Sequence, residues 1–529
     1  MPPMPSFLRA TLSISAAAVL SRITGYGRLM AMAAVLGTGL VAEAYGAAGL
    51  LPNLIYELFL GGILYSIFIP VLIERITHYG EEDARRLTNA LFTVVLPLMA
   101  LLALVGVVLA EPLVELATRW ESGQSLPPAE AARVEELAVL FFRIFAIQML
   151  FYGLNTIATG VLQAHRRFFL PTFAPVLNNL LTIGSFFAYA FLVGRSEILA
   201  LYVLVGGATV GVAVMALALV PTMLSLGYVP RLQVGHPALG PTMKLAGPMV
   251  ILVAASVGFQ FFASILATEF GAVAEIGYAF AIFSLPHGVL AVAISTALMP
   301  ELSEQHSRSN PEGYRRTFSL GLRSIVFVLI PASVGMVAFA HPLVGLLYQR
   351  GDFGPEQTQS VATLLAAYSV GLVGYSAYFF LVRAFYSRKN TKTPAILNVF
   401  IFMIFVGFSY TLSRFLQAPG IALALSTAYV VLALASLALT RREIGRIDGR
   451  RIAVSLFKAL SAGAVMYVLA TAGTELLGIG GSFWERLAIL GLVGGVSTAT
   501  YLGVTFILRS EELGYVLALL QKRRGWNRG

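Results

Sequence analysis

The sequence predicts an all-α integral membrane protein with about fourteen transmembrane helices, and two observations carry that expectation. Of 529 residues, 58% are hydrophobic and only 12% are charged, against roughly 25% charged in a soluble domain. No soluble fold could cover that much apolar surface with so little charge. The apolar residues also arrive in long blocks, such as 250–267, 325–340 and 395–412. Blocks near 20 residues match the ~30 Å hydrocarbon layer, where a backbone that must satisfy its own hydrogen bonds becomes helical.

Hydropathy breaks place the spans at 10–36, 44–73, 88–110, 136–161, 172–193, 197–225, 242–268, 274–299, 321–347, 360–386, 394–413, 419–440, 453–477 and 484–508. The first is long, carries Arg22 and Arg28 and lacks a small-residue cleavage pattern, so it reads as a spanning helix and not as a cleavable signal. Counting Lys and Arg on alternate sides tests the scheme. Of 36 basic residues, 27 fall on one side and six on the other, with Arg22, Arg28 and Arg143 inside spans. Basic loops stay cytoplasmic. Both termini and the loops at 75–86 and 441–451 are therefore expected in the cytoplasm, and the 119–133 loop outside. The formal charge of +10 then faces anionic headgroups and implies no nucleic acid.

Internal repetition organises the spans. Ala42-Glu43, Pro52 and Pro70 are echoed by Ala274-Glu275, Pro286 and Pro300 at offsets of 232, 234 and 230. Pro112-Leu113-Val114 recurs as Pro342-Leu343-Val344 at offset 230, and the loop ending in Pro171 matches the one ending in Pro394 at offset 223. An offset of six helices restores the same membrane orientation, so the halves are parallel repeats. The expected organisation is a six-helix lobe at 1–230, a second at 235–440, two further helices within 452–508 and a basic cytoplasmic tail at 509–529. Two such lobes enclose a central cavity in which a secondary transporter or flippase holds substrate by alternating access.

Other classes find no support. There is no cysteine, which removes disulfides, thiolate metal sites and cysteine nucleophiles. The six histidines stand singly, without metal-ligand spacing. No phosphate-binding loop and no nucleophile–base pair emerges, so neither an enzyme nor a cofactor is expected.

Ionisable residues inside spans cost about 2.5–3.5 kcal/mol on insertion scales, and each needs a reason. Arg22 and Arg28 lie six residues apart, about 240° around a helix, and do not fully share a face. Arg22 is expected deeper and against substrate, with Arg28 lining the same cavity from the side; helix–helix pairing is the competing role. Glu43 near the start of the second span suits an arginine or a coupling ion, or is a solvated helix-end carboxylate. Pro52 frees a backbone carbonyl, and with Asn53 and the deeper Glu57 it makes a polar, kinked segment suited to a hinge beside the cavity. Arg143 is expected as a buried ion pair or a cavity charge. The glycine pairs Gly61-Gly62 and Gly206-Gly207 are expected to let helices pack closely.

The segments Ser21-Arg22-Ile23-Thr24-Gly25-Tyr26-Gly27-Arg28, Ala42-Glu43-Ala44-Tyr45, Leu51-Pro52-Asn53-Leu54 and Phe68-Ile69-Pro70 resemble the MurJ (MviN) family of bacterial lipid II flippases. So do Gly160-Val161-Leu162-Gln163-Ala164-His165 with Pro171, Tyr348-Gln349-Arg350-Gly351-Asp352-Phe353, and Arg383-Ala384-Phe385-Tyr386 with Thr391-Lys392-Thr393-Pro394. The resemblance implies the multidrug/oligosaccharidyl-lipid/polysaccharide exporter fold, with a cationic cavity for the pyrophosphate head of lipid II and a groove at the two C-terminal helices for its polyprenyl tail. It places Arg22 and Arg28 at two functionally important family arginines, and with Glu43 and Asn53 they make up the expected substrate-binding residues. The partners it implies are the lipid-linked peptidoglycan precursor, membrane lipids, and a coupling cation or the membrane potential.

The chain also departs from the family pattern. Tyr56-Glu57 stands where an arginine pair is usual, Gly61 replaces an acidic residue, Ala281 replaces a cavity arginine, Leu29 replaces an aspartate, and Glu43 stands for the usual aspartate. A flippase for another polyprenyl-linked glycan, or an ion-coupled exporter of amphipathic molecules, therefore stays open as an alternative at this point.

Overall fold

The computed structural model describes residues 4–59, 68–120, 126–478 and 483–514, without the side chains of 4–12, 59, 241–252 and 256. Gly61-Gly62 and the basic end of the tail lie outside these residues. The chain divides into two compact units, one of residues 1–274 with 350–354, the other of 275–349 with 355–529. These are units of packing, whereas the lobes expected from sequence are units of repetition.

The first unit contains α1 (Met4–Leu36), α2 (Leu40–Phe59), α3 (Ile69–Tyr79), α4 (Glu81–Val108), α5 (Ala110–Ala117), α6 (Pro128–Ala146), α7 (Gln148–Ala164), α8 (Phe169–Leu192), α9 (Glu197–Leu217), α10 (Val220–Ser225) and α11 (Leu239–Glu269). The chain continues as α12 (Val273–Pro286), a π-helical turn at His287–Ala291, α13 (Val292–Ser307), α14 (Pro311–Ala338), α15 (Ala340–Tyr348), α16 (Pro355–Ser369), α17 (Leu372–Ser387), α18 (Lys392–Leu416), α19 (Ala418–Ile444), α20 (Gly449–Leu477) and α21 (Phe483–Ile507). Among the described residues ten helical stretches are long and apolar enough to cross a bilayer, and α16–α17, bent by 46°, make an eleventh. Adding α1, α2 and α11 is consistent with the fourteen expected.

The repeat is visible in local geometry as well as in sequence. The 28-residue α4 stops at Leu109 and the short α5 follows; the 28-residue α14 stops at Phe339 and the short α15 follows. After α7 the chain turns through Arg166 at φ 58°, and after α17 through Lys389 at φ 59°. In both, the amide one residue later bonds five residues back, Arg167 to Leu162 at 2.8 Å and Asn390 to Phe385 at 3.1 Å. This is the left-handed helix stop that satisfies orphaned carbonyls, made with non-glycine residues at some strain.

Close packing in the first unit centres on α8 and α9. A Cβ on Gly207 would lie 2.5 Å from Ser185 Cβ, and one on Gly211 would lie 2.6 Å from Asn178 Oδ1. These two glycines, four apart, let the backbones approach as lipid-embedded helices require. Where α3 meets α4, Glu81 accepts from the Tyr228 hydroxyl at 3.0 Å and contacts His165 at 3.2 Å. Burial, and then this carboxylate, push the Tyr228 hydroxyl above its ordinary pKa. Asp83 contacts His236 at 3.2 Å and Arg75 at 3.6 Å, which ties the segment after α10 to the start of α4.

In the second unit α20 and α21 attach to α14. Val326, Phe327 and Ile330 pack with Ala459, Ala462, Met466, Tyr501 and Leu513, and Tyr501 donates to the Phe327 carbonyl at 2.7 Å. Arg323, almost wholly buried, pairs at 2.8 Å with both Glu511 and Glu512, of which Glu512 is buried. A buried charge is tolerated only when paired, so this pair pins the segment after α21. On their other faces the two helices expose Phe457, Val468, Leu492 and Phe506, as lipid-facing surfaces do.

Candidate functional site

The two arginines of α1 sit on a helix held by α8. Asn179 of α8 donates to the Ser21 carbonyl at 3.3 Å and to Thr24 Oγ1 at 3.1 Å, and a Cβ on Gly25 would lie 3.6 Å from the same amide nitrogen. A buried amide in a membrane helix needs such partners, and here they fix the turn that carries Arg22. Arg22 is exposed and Arg28 is half-buried. Neither makes a hydrogen bond or ion pair among the described residues. Arg28 lies within electrostatic reach of Tyr45 on α2 and Tyr152 on α7. Exposure depends on the face a residue occupies and not on its depth along the span, and Arg22 shares its turn with the exposed Leu20 and Ile23.

The second helix brings several of the expected residues to the same region. α2 stays helical across Pro52, whose ring deprives the Ala48 carbonyl of its amide. Pro52 is buried and Asn53 exposed. One turn on, the Tyr56 hydroxyl is 2.5 Å from Thr156 Oγ1 and its ring centroid 5.1 Å from that of Tyr152. Tyr152 donates to Gln148 Oε1 at 3.1 Å, and Gln148 donates to Thr209 Oγ1 at 3.1 Å. Thr156 Oγ1 in turn donates to the Tyr152 carbonyl at 2.8 Å, so a hydrogen-bonded chain runs from α2 through α7 to α9. Glu57 accepts from Gln260 Nε2 of α11 at 3.4 Å and pairs with no arginine, lysine or histidine among the described residues.

Glu43 is placed elsewhere. It is 2% exposed, and its two oxygens accept the amides of Val273 and Ala274, each at 2.9 Å. A carboxylate on the free amides that open a helix is favoured by charge and by the helix dipole. Arg143 is exposed on α6 and makes no ion pair among the described residues, so the buried pair expected for it is not found there. Among the described residues no group of three or more His, Asp or Glu could hold a metal.

Residues 32–486 match the family model for the lipid II flippase MurJ. The chain belongs to the MurJ family. It is 29% identical to the probable lipid II flippase MurJ of Rhizobium tropici over 98% of this chain and 97% of that one. It is also 29% identical to the lipid II flippase MurJ of Burkholderia cenocepacia, over 75% of this chain and 77% of that one. Among solved structures, MurJ in an inward closed conformation superposes with TM-score 0.74, 22% identity and 94% and 98% coverage. An inward-facing multidrug transporter of the MOP superfamily superposes with TM-score 0.58 at 15% identity, covering 83% of this chain and 95% of that one. Both likenesses are likenesses of fold.

The MurJ-like motifs turn out to be largely packing devices. A Cβ on Gly160 would fall 2.6 Å from the Phe68 ring, so two of the motifs meet directly. Gly351, at φ 61°, lies so close to α1 that a Cβ would fall 2.0 Å from the Ala34 carbonyl oxygen. The neighbouring Asp352 amide donates to that oxygen at 3.0 Å. Of the departures from the family pattern, Tyr56 and Glu57 fall beside Tyr152 and Gln260, Ala281 lies half-buried on α12, and Gly61 is outside the described residues. Asn179, Gln148 and Gln260 carry no charge, so a pattern of ionisable residues does not reveal them. Their signal was an amide side chain inside an apolar span.

Proposed function

We propose that this protein flips lipid II, the polyprenyl-pyrophosphate-linked peptidoglycan precursor, across the cytoplasmic membrane by alternating access, with Arg22 and Arg28 as the contacts for its diphosphate. The observation that carries the reading is a pair of guanidiniums on one helix of a MurJ-family chain that no described carboxylate neutralises. An anionic head group drawn from the membrane surface would supply the missing counter-charge, and guanidinium forks match phosphate oxygens bidentately. An exporter of cations would instead want negative charge there. Asn179 would act by holding the α1 turn, Pro52 and Asn53 by shaping α2, and Glu43 by holding the start of α12 against α2. Flipping makes and breaks no covalent bond, so no catalytic group is needed.

Complementation of a strain conditionally depleted of its own MurJ tests the function: the chain should restore growth, and Arg22→Ala, at matched membrane levels, should not. Failure of the wild-type chain to restore growth, with the protein present and folded in the membrane, would count against lipid II as its cargo. The orientation proposed, with both termini cytoplasmic, rests on the basic loops. As the chain has no cysteine, a single cysteine at Ser122, which lies outside the described residues, should react with an impermeant thiol reagent in cells whose outer membrane, if present, is permeabilised. One at Gly449 should not. The reverse pattern would invert the orientation.

A further inference from the structure

We infer that Glu57, with Gln260, is a subsite for a cationic group, an ammonium on the cargo's head group, so that this chain selects head groups bearing both a diphosphate and a free amine. The inference rests on the flippase reading above and names the part of the head group that the arginines leave unread. Among the described residues of the first unit, Glu57 is a half-buried carboxylate near the described end of α2 with no backbone or cationic partner. Glu43 is taken up by two amides. Glu81, Asp83 and Glu197 open their helices beside Tyr228, His236 and Arg133, and Glu269 closes α11. Among the described residues Glu57 has the Gln260 amide alone, at 3.4 Å. A carboxylate inside an apolar span is favoured when a positive charge arrives to pair with it.

A positive charge is close by and is not used. Arg28 reaches electrostatically to Tyr152, and the Tyr152 ring lies 5.1 Å from that of Tyr56, the residue preceding Glu57. Arg28 is thus linked to the tyrosine contact that precedes Glu57 in the chain, and among the described residues the two charges form no ion pair. Two opposite charges on α1 and α2 of one unit, unpaired among the described residues, suit a zwitterion: diphosphate toward α1, ammonium toward the α2–α11 contact. The Gln260 amide donates one hydrogen bond to the carboxylate and leaves its other lone pairs for an N–H donor. The tyrosine rings favour a cation over their faces. The sequence places Tyr56-Glu57 where the resemblance calls for arginines, so the charge at this point is reversed and not merely lost.

The test uses purified full-length protein in lipid nanodiscs and two probes, lipid II with a free amine on its stem peptide and the same molecule N-acetylated. Wild type should bind the amine form roughly five- to thirtyfold more tightly, as a partly desolvated ion pair gives. Glu57→Gln should bring that ratio near one, and Glu57→Asp should keep part of it. Should Glu57→Gln not fold, Gln260→Leu, which leaves the carboxylate but removes its Gln260 hydrogen bond, should lower the ratio at least threefold. Equal wild-type affinity for the two probes overturns the inference, as does an unchanged ratio in Glu57→Gln. Binding that rises with sodium but ignores the amine assigns the carboxylate to a metal cation and also overturns it. None of these outcomes touches lipid II flipping, which stands or falls on the arginine variants and complementation.

Discussion

Arg28 is less exposed than Arg22, and that difference ranks the two residues. Unit charges 4 Å apart interact by about 1 kcal/mol in water and about 4 kcal/mol at an effective dielectric constant of 20. Half-buried beside Tyr45 and Tyr152, Arg28 falls between these limits. Its removal should cost about 2–3 kcal/mol of diphosphate binding, roughly 30- to 150-fold in affinity. Arg22, exposed beside Leu20 and Ile23, sits nearer the aqueous limit, about 1 kcal/mol or roughly fivefold in affinity, so the growth defect expected of Arg22→Ala reports the transport step more than resting affinity. Arg28→Lys should recover part of the loss, because the charge returns without the planar fork. The assay is equilibrium binding of lipid II to purified Arg22→Ala, Arg28→Ala and Arg28→Lys in nanodiscs, each checked for monodispersity. Arg28→Ala binding as wild type does, or Arg22→Ala losing more affinity than Arg28→Ala, would refute the reasoning from burial.

Three further variants probe the scaffold. Gly351→Ala should lower thermal stability in detergent by more than the ~1–2 kcal/mol of a left-handed alanine, because its Cβ would overlap the Ala34 carbonyl; an unchanged melting temperature would contradict this. Glu512→Ala should cost about 3 kcal/mol, since it takes the buried partner from Arg323, while Glu511→Ala at the half-exposed partner should cost under ~1 kcal/mol; equal losses would contradict the burial argument. Glu43→Ala leaves the Val273 and Ala274 amides without their acceptors and should cost about 1–3 kcal/mol, and Glu43→Gln should cost less; melting curves of the two variants decide it.

The fold was legible because membrane helices announce themselves by length and composition, and because the repeat leaves the same signature twice, as Arg166 and Lys389 show at one offset in sequence and with one backbone turn. The site was legible only in part. Arg22 and Arg28 stood out as charges in an apolar span, but which face each occupies depends on where α8 and α2 press against α1, and that is written in Asn179, Gly25 and Tyr45 and not in the arginines. Glu43 looked like a ligand for an ion; its acceptors are filled by amides some 230 residues away in sequence, a contact that no local pattern announces. Glu57 showed its charge but not its partner, because Gln260 is a neutral residue on another helix. The family-like glycines Gly160 and Gly351 carry no chemistry of their own and are explained by what presses on them.

The central claim, that this chain moves lipid II and does so through the α1 arginines, is tested most directly by translocation in vesicles. Purified protein is reconstituted with lipid II, and the head group newly exposed on the opposite leaflet is captured over time by an impermeant enzyme that modifies its sugar. Wild type should give protein-dependent exposure of the head group. Arg28→Ala and the double variant Arg22→Ala/Arg28→Ala, reconstituted at equal density, should fall to the protein-free rate. Wild-type rates from the double variant would contradict the account.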